Sequence, residues 1–289
     1  MRESSNPVMR GVVRDNEKAP APYVGGFSQA ASGGGRAALD AAGQPTYAPV
    51  QSGRSLTIDD VVTKTGMTLG VLSIVAIAAY ALIQTNEGLA MPLWLVGMVG
   101  GLVTVLIASF GRKQDNPGIV LTYAVFEGMF VGAVSHLFAN VMINAGGVEG
   151  GISAGALIGQ AVLGTIGVFV GMLVVYKTGA IRVTPRFTRM LVAGIIGVAV
   201  LALGNLVFSL FTGEAGILRD GGPIAIIFSL VCIALAAFSF LSDFDQADRL
   251  IHAGAPAKAA WGIALGLTVT LVWLYVEILR LLSYFYRSN

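Results

Sequence analysis

The sequence is short of nearly everything a soluble enzyme uses. There is one cysteine, Cys232, in 289 residues, which excludes a disulfide framework and a cysteine-based metal centre. Two histidines, His136 and His252, leave little for a zinc site. Charged residues make up only 12%, where soluble domains run nearer about a quarter. That is too little polar surface to cover a water-soluble globule. The net charge of +2 argues against a nucleic-acid partner. What the chain has instead is apolar: 55% hydrophobic residues and a mean hydropathy of +0.77. Its 38 glycines follow no collagen period and suit close helix packing in lipid.

The chain divides near residue 60. Residues 1–60 are rich in Gly, Ala, Ser and Pro, carry 12 charges and show no apolar period, which predicts a flexible tail. No apolar core follows the early arginines, so the tail does not read as a signal peptide. From Thr65 the charges act as punctuation. Charge-free runs cover Thr65–Asn86, Gly88–Gly111, Gly150–Tyr176, Met190–Gly213 and Gly221–Ser242. Two more are interrupted, Asn116–Val148 by Glu127, and Ala259–Tyr286 by Glu277 and Arg280. A helix crosses the hydrocarbon core with about 20 apolar residues. None of the runs alternates as a spanning strand would. The expectation is an all-α membrane protein, with a tail over 1–60 and a seven-helix transmembrane domain over 61–289. Trp94, Tyr176, Trp261, Tyr284 and Tyr286 fall at helix ends, as interface anchors do.

Orientation follows the loop cations. Alternate loops hold eight of them: Arg112 and Lys113; Lys177, Arg182, Arg186 and Arg189; Arg249 and Lys258. The opposite loops hold only Arg219. This places the N-terminus in the cytoplasm and, with seven spans, the C-terminus outside. A re-entrant last helix would return Arg287 inside, but that run is long enough to cross.

Five acids carry the interest. Glu127 lies about ten residues into helix 3, roughly 15 Å along it, near the bilayer middle. Intramembrane acids are costly and are functional by default; the bland alternative is a protonated Glu bonded to a neighbouring helix. Gly128 and Gly132 beside it form a small-xxx-small face for a helix contact. Asp243, Asp245 and Asp248 crowd the expected end of helix 6, where the helix dipole disfavours anions. Asp245 has Arg249 at i+4, and with Asp248 reads as a solvated cap. Asp243 follows directly on the apolar run. Glu277 interrupts helix 7, with Arg280 at i+3 as an intrahelical partner. His136 reads as a lone interfacial residue.

Asp243-Phe-Asp-Gln, then Tyr275-Val-Glu-Ile-Leu, with Phe126-Glu-Gly in helix 3, resembles the transmembrane Bax-inhibitor-motif family over roughly residues 61–289, the tail being extra. The resemblance implies six helices in two layers around a central seventh. It also implies a pH-sensitive calcium leak channel. In that family a pair of acids from helices 6 and 7 is the sensor, and an arginine at the inner end of helix 2 is a latch. Carried over, the pair is Asp243 and Glu277 and the latch is Arg112. The second acid is Glu where the family usually has Asp.

Two adjacent carboxylates in low dielectric cannot both ionise cheaply and titrate as a coupled pair. They would hold calcium weakly, which suits permeation rather than storage. No cofactor is implied, and partners would be lipid, calcium and protons. Two rivals stand. A proton-coupled transporter would use Glu127, Asp243 and Glu277 as a relay, but the inverted repeats expected of one are not visible. A non-transporting regulator would meet a stress or protease partner through its tail. A retinal protein fails for want of a lysine inside helix 7, and an intramembrane hydrolase for want of a nucleophile near His136. Enzymatic activity is therefore not expected, and the plasma membrane is the expected location.

Overall fold

The computed structural model describes residues 54–144, 154–213 and 216–287. Residues 1–53 of the expected tail lie outside these. Among the described residues there are seven long α-helices and no strand: α1 Ile58–Thr85, α2 Ala90–Phe110, α3 Pro117–Asn144, α4 Ala154–Thr178, α5 Pro185–Thr212, α6 Pro223–His252 and α7 Ala260–Arg287. All seven are long and apolar enough to cross a membrane, the second and seventh with a short 3-10 turn in front. The chain is an integral multi-pass membrane protein.

The helices begin where local chemistry starts them. At α1, Thr57 Oγ1 accepts from the Asp60 amide at 3.3 Å, and the Thr57 amide donates back to Asp60 Oδ2 at 3.2 Å. This capping box starts the helix two turns ahead of the charge-free run. Residues 57–60, assigned to the tail from composition, are therefore the cap and first turn of α1. Proline stands at the first turn of α3, α5 and α6, where its missing N–H costs nothing. Thr184 caps α5, accepting from the Phe187 amide at 3.2 Å.

Several helix ends are followed by left-handed residues. Gly179 and Gly254 take positive φ after α4 and α6. After α2 the corresponding residue is Arg112, at φ 51. The Lys113 amide then reaches back to the Ala108 carbonyl at 3.0 Å, as in a glycine-type helix stop. The α6 helix runs ten residues past its charge-free run, to His252, close to the end expected from the sequence. Its acids therefore lie inside the helix, while Arg249 and His252 occupy the last turn, where cations suit the dipole.

α7 packs against α1, α3, α4 and α6, and α3 against α1, α2 and α4. α5 rests mainly on α6 and is the least enclosed helix, while α7 is the most enclosed. Tyr284, expected at the interface, is buried. On the face shared by the N-terminal segment and the α2–α3 and α6–α7 connections, two ties are made. Ser55 bridges Pro256 in antiparallel fashion, with the Leu56 amide on the Ala255 carbonyl at 2.7 Å. Leu56 is buried with Phe240, Ala260, Ile263 and Leu267. Lys258 Nζ meets Asp115 Oδ2 at 2.7 Å.

Candidate functional site

The seam between α6 and α7 carries the polar residues of interest. Along α6, buried Ala225, Ser229, Cys232, Ala236, Ser239 and Phe240 face inward, and Asp243 continues that face one turn later. Small residues let α7 approach closely. Opposite Asp243 stands Thr270, whose hydroxyl donates to Asp243 Oδ2 at 2.8 Å and also lies 3.2 Å from the Gly266 carbonyl. Gly266 also faces the carboxylate: a Cβ there would sit 4.0 Å from Asp243 Oδ1, an ordinary contact. Asp243 is half-buried and Thr270 buried.

The expected acid pair is not formed. Glu277 lies seven residues beyond Thr270, two helical turns or about 10.5 Å along α7. Its Oε1 accepts from Arg280 Nη1 at 2.6 Å, within one turn of its own helix. Both side chains are more than nine-tenths buried, and Glu277 Oε2 has no hydrogen-bond partner. Arg219, from the α5–α6 connection, is within electrostatic reach of Glu277, Arg280, Tyr284 and Cys232. A carboxylate already matched by a buried guanidinium is a poor calcium ligand. Of the two acids expected to pair, only Asp243 has no ion pair among the described residues. Among the described residues no three His, Cys, Asp or Glu residues come together.

The other candidates occupy separate places. Glu127 faces α2, where Gly101 makes space; a Cβ at Gly101 would fall 2.7 Å from Glu127 Oε2. It is not brought to Asp243. Arg112 is exposed and pairs with neither Asp243 nor Glu277. Asp245 meets Arg249 at 2.8 Å, as its i+4 spacing predicts, and Asp248 meets His252 at 3.4 Å. His136 is not interfacial. It is buried in α3, 3.2 Å from Asn140 Nδ2 and edge-on to Tyr80 at 5.6 Å. Beside it Ser135 Oγ and Tyr275 Oη share a 2.7 Å hydrogen bond between α3 and α7.

The residue missed from the sequence is Thr270. One signal was available. Thr270 and Glu277 differ by seven residues and so share a face of α7, and a threonine amid apolar residues on an acid's face is a candidate partner. The Ser135–Tyr275 bond left no such signal, because it joins residues 140 apart in the chain.

A sequence model of the family described as Bax inhibitor 1 like matches residues 6–287. The match begins inside the segment that composition sets apart as an extra tail. No curated protein matches the chain.

Proposed function

The chain belongs to the Bax inhibitor 1 like family, and from that premise we propose that it is a pH-sensitive calcium leak channel rather than an enzyme, conducting along the α6–α7 seam. The observation that carries the reading is the Asp243–Thr270 contact. It sets an ionisable oxygen cluster between the most enclosed helix and its partner. Intramembrane acids are rare and mark ion and proton paths. A carboxylate and a hydroxyl are hard oxygen donors that suit calcium. Two such donors without a cage bind weakly, and weak binding lets an ion leave.

The gate follows from the same contact. Ionised, Asp243 attracts a cation and accepts the Thr270 hydroxyl. Protonated, it loses both its charge and its pull on calcium, and the α6–α7 contact becomes a neutral hydrogen bond. Proton occupancy thereby biases the packing of two helices. The sensor is one carboxylate rather than a pair.

The Lys- and Arg-rich face is assigned to the cytoplasm, with the N-terminus there, the C-terminus outside and the plasma membrane as the location. Residues 1–53 offer a contact for a protein partner on that side.

The deciding experiment uses the purified full chain in liposomes, with calcium flux followed across a pH series. Wild type should conduct with a sigmoidal pH dependence, and Asp243→Asn should flatten it. No flux at any pH would sink the channel and favour the regulator. Flux that requires a proton gradient would favour the transporter.

A further inference from the structure

We propose that the cleft between α5 and α6, on the Arg-rich face, is a binding site for the phosphate of an anionic lipid headgroup. The cleft has a volume of about 620 Å³ and is lined by Pro185, Thr188 and Arg189 of α5 and by Ser242, Asp245 and Arg249 of α6. It exists because α5 rests on α6 alone among its well-packed neighbours. Phe187 and Phe238 meet edge-on at 6.0 Å and hold the two helices near that end.

The lining has the chemistry of a phosphate site. Arg189 makes no ion pair among the described residues. Arg249 uses its Nε on Asp245 at 2.8 Å and stays 69% exposed, which leaves its terminal nitrogens to donate. Two guanidinium groups against one carboxylate leave an excess positive charge. The planar fork of arginine suits phosphate oxygens bidentately. Ser242 lines the α6 wall and its Oγ has no hydrogen-bond partner, so its hydroxyl is free to turn toward a phosphate there. Arg182 on the α4–α5 connection and Arg186 in the first turn of α5 add to the local field.

Depth and access select a lipid over a soluble phosphate. Arg189 is the fifth residue of α5 and Arg249 lies three from the end of α6, so both guanidinium groups sit within about one turn of the helix ends, at headgroup level. Much of α5 is exposed along its length, with Met190, Ile196 and Val200 among its large apolar residues. Acyl chains can therefore run along it while the headgroup enters the cleft. The inference does not depend on ion conduction.

The test measures lipid binding to the purified full chain in detergent, by native mass spectrometry and by thermal shift. The probes are phosphatidylglycerol, phosphatidylcholine and soluble glycerol 3-phosphate. Wild type should bind phosphatidylglycerol at least tenfold more tightly than phosphatidylcholine and gain stability from it. Arg189→Gln should lower that affinity about tenfold, the worth of one charge-assisted pair. Ser242→Ala, which removes one small hydroxyl, should cost a few-fold and keeps the test alive if the arginine variant folds poorly. Lys113→Gln, an exposed cation on another connection of the same face, should bind as wild type. Equal affinity for the two lipids overturns the proposal. So does wild-type affinity in both Arg189→Gln and Ser242→Ala, or an equal loss in Lys113→Gln. Competition by glycerol 3-phosphate at the lipid's own affinity would overturn the lipid assignment and leave a soluble phosphate ligand.

Discussion

A carboxylate and a guanidinium three residues apart on α7 are both more than nine-tenths buried, and their 2.6 Å contact is what allows either charge in hydrocarbon. Removing one partner strands the other. Glu277→Gln should therefore cost about 3 kcal/mol of stability, read as a lower melting temperature in detergent. The double change Glu277→Leu with Arg280→Met should cost less than Glu277→Gln alone, because no charge is left without a partner. Neither should move the pH midpoint of flux; a shifted midpoint would return the sensor to Glu277. Thr270 is the opposite case. Thr270→Asp would place a second carboxylate against Asp243, and two coupled acids release their protons in two steps. The flux profile should broaden into two transitions, and an unchanged single transition would separate Asp243 from the gate. Asp243 was legible in the sequence because an acid at the edge of an apolar run is conspicuous. Its partner was not, because a threonine inside a membrane helix costs little and draws no notice. Glu277 drew the pairing by being ionic, although its charge was already answered one turn away.

Helix contacts in lipid are made by what is missing from a side chain. Gly128 and Gly132 of α3 lie against α1: a Cβ at Gly128 would fall 2.6 Å from the Leu72 carbonyl oxygen, and one at Gly132 would fall 2.9 Å from Ala79 Cβ. The small-xxx-small spacing in the sequence predicted this contact correctly, since only glycine admits such approach. Gly132→Val should cost 2 kcal/mol or more, on the order of strong overpacking. Gly70→Ala, with nothing within 4 Å of the new carbon, should be neutral or slightly stabilising. Equal melting temperatures for the two variants would mean that α1 and α3 do not pack this way. The helix ends were harder to read. Counting charges misses a capping box, and that is why α1 begins ahead of its charge-free run. The clasp between Asp115 and Lys258 is likewise invisible in sequence, since its partners are 143 residues apart. Its hydrogen bond from Lys258 holds the Asp115 carboxyl below its ordinary range. A depressed carboxylate stabilises the fold above its unfolded pKa, and that contribution fades only as pH falls through the lower folded value. The clasp therefore stays closed throughout neutral and mildly acidic pH. Asp115→Asn should leave the pH midpoint of flux in place, and a displaced midpoint would make this clasp part of the gate.

At the scale of the whole molecule, seven apolar runs sufficed to count the spans, because each backbone must satisfy itself in lipid and only a helix does so within one segment. Which helices touch was not legible from hydropathy, since most of the spans are apolar on nearly every side and, among the described residues, α7 carries the most polar residues on its buried surface. The polarity of the assembly rests on charge alone. The ties Ser55–Pro256 and Lys258–Asp115 bring the start of α1 and the α2–α3 and α6–α7 connections to one face independently of any charge count, and seven spans put the α4–α5 connection on the same side. That face carries the eight loop cations, and the other carries Arg219. Lysine and arginine are held back during insertion, so the basic face should be cytoplasmic. The sole native cysteine, Cys232, is buried, so an introduced cysteine reports with little background. A membrane-impermeant maleimide applied to intact cells should label Asp220→Cys, in the α5–α6 connection, and should leave Arg186→Cys unlabelled until the membrane is broken. The reverse pattern would invert the protein. Asp243, which lies nearer the cation-rich ends of α6 and α7, would then sense the outside pH rather than that of the cytoplasm.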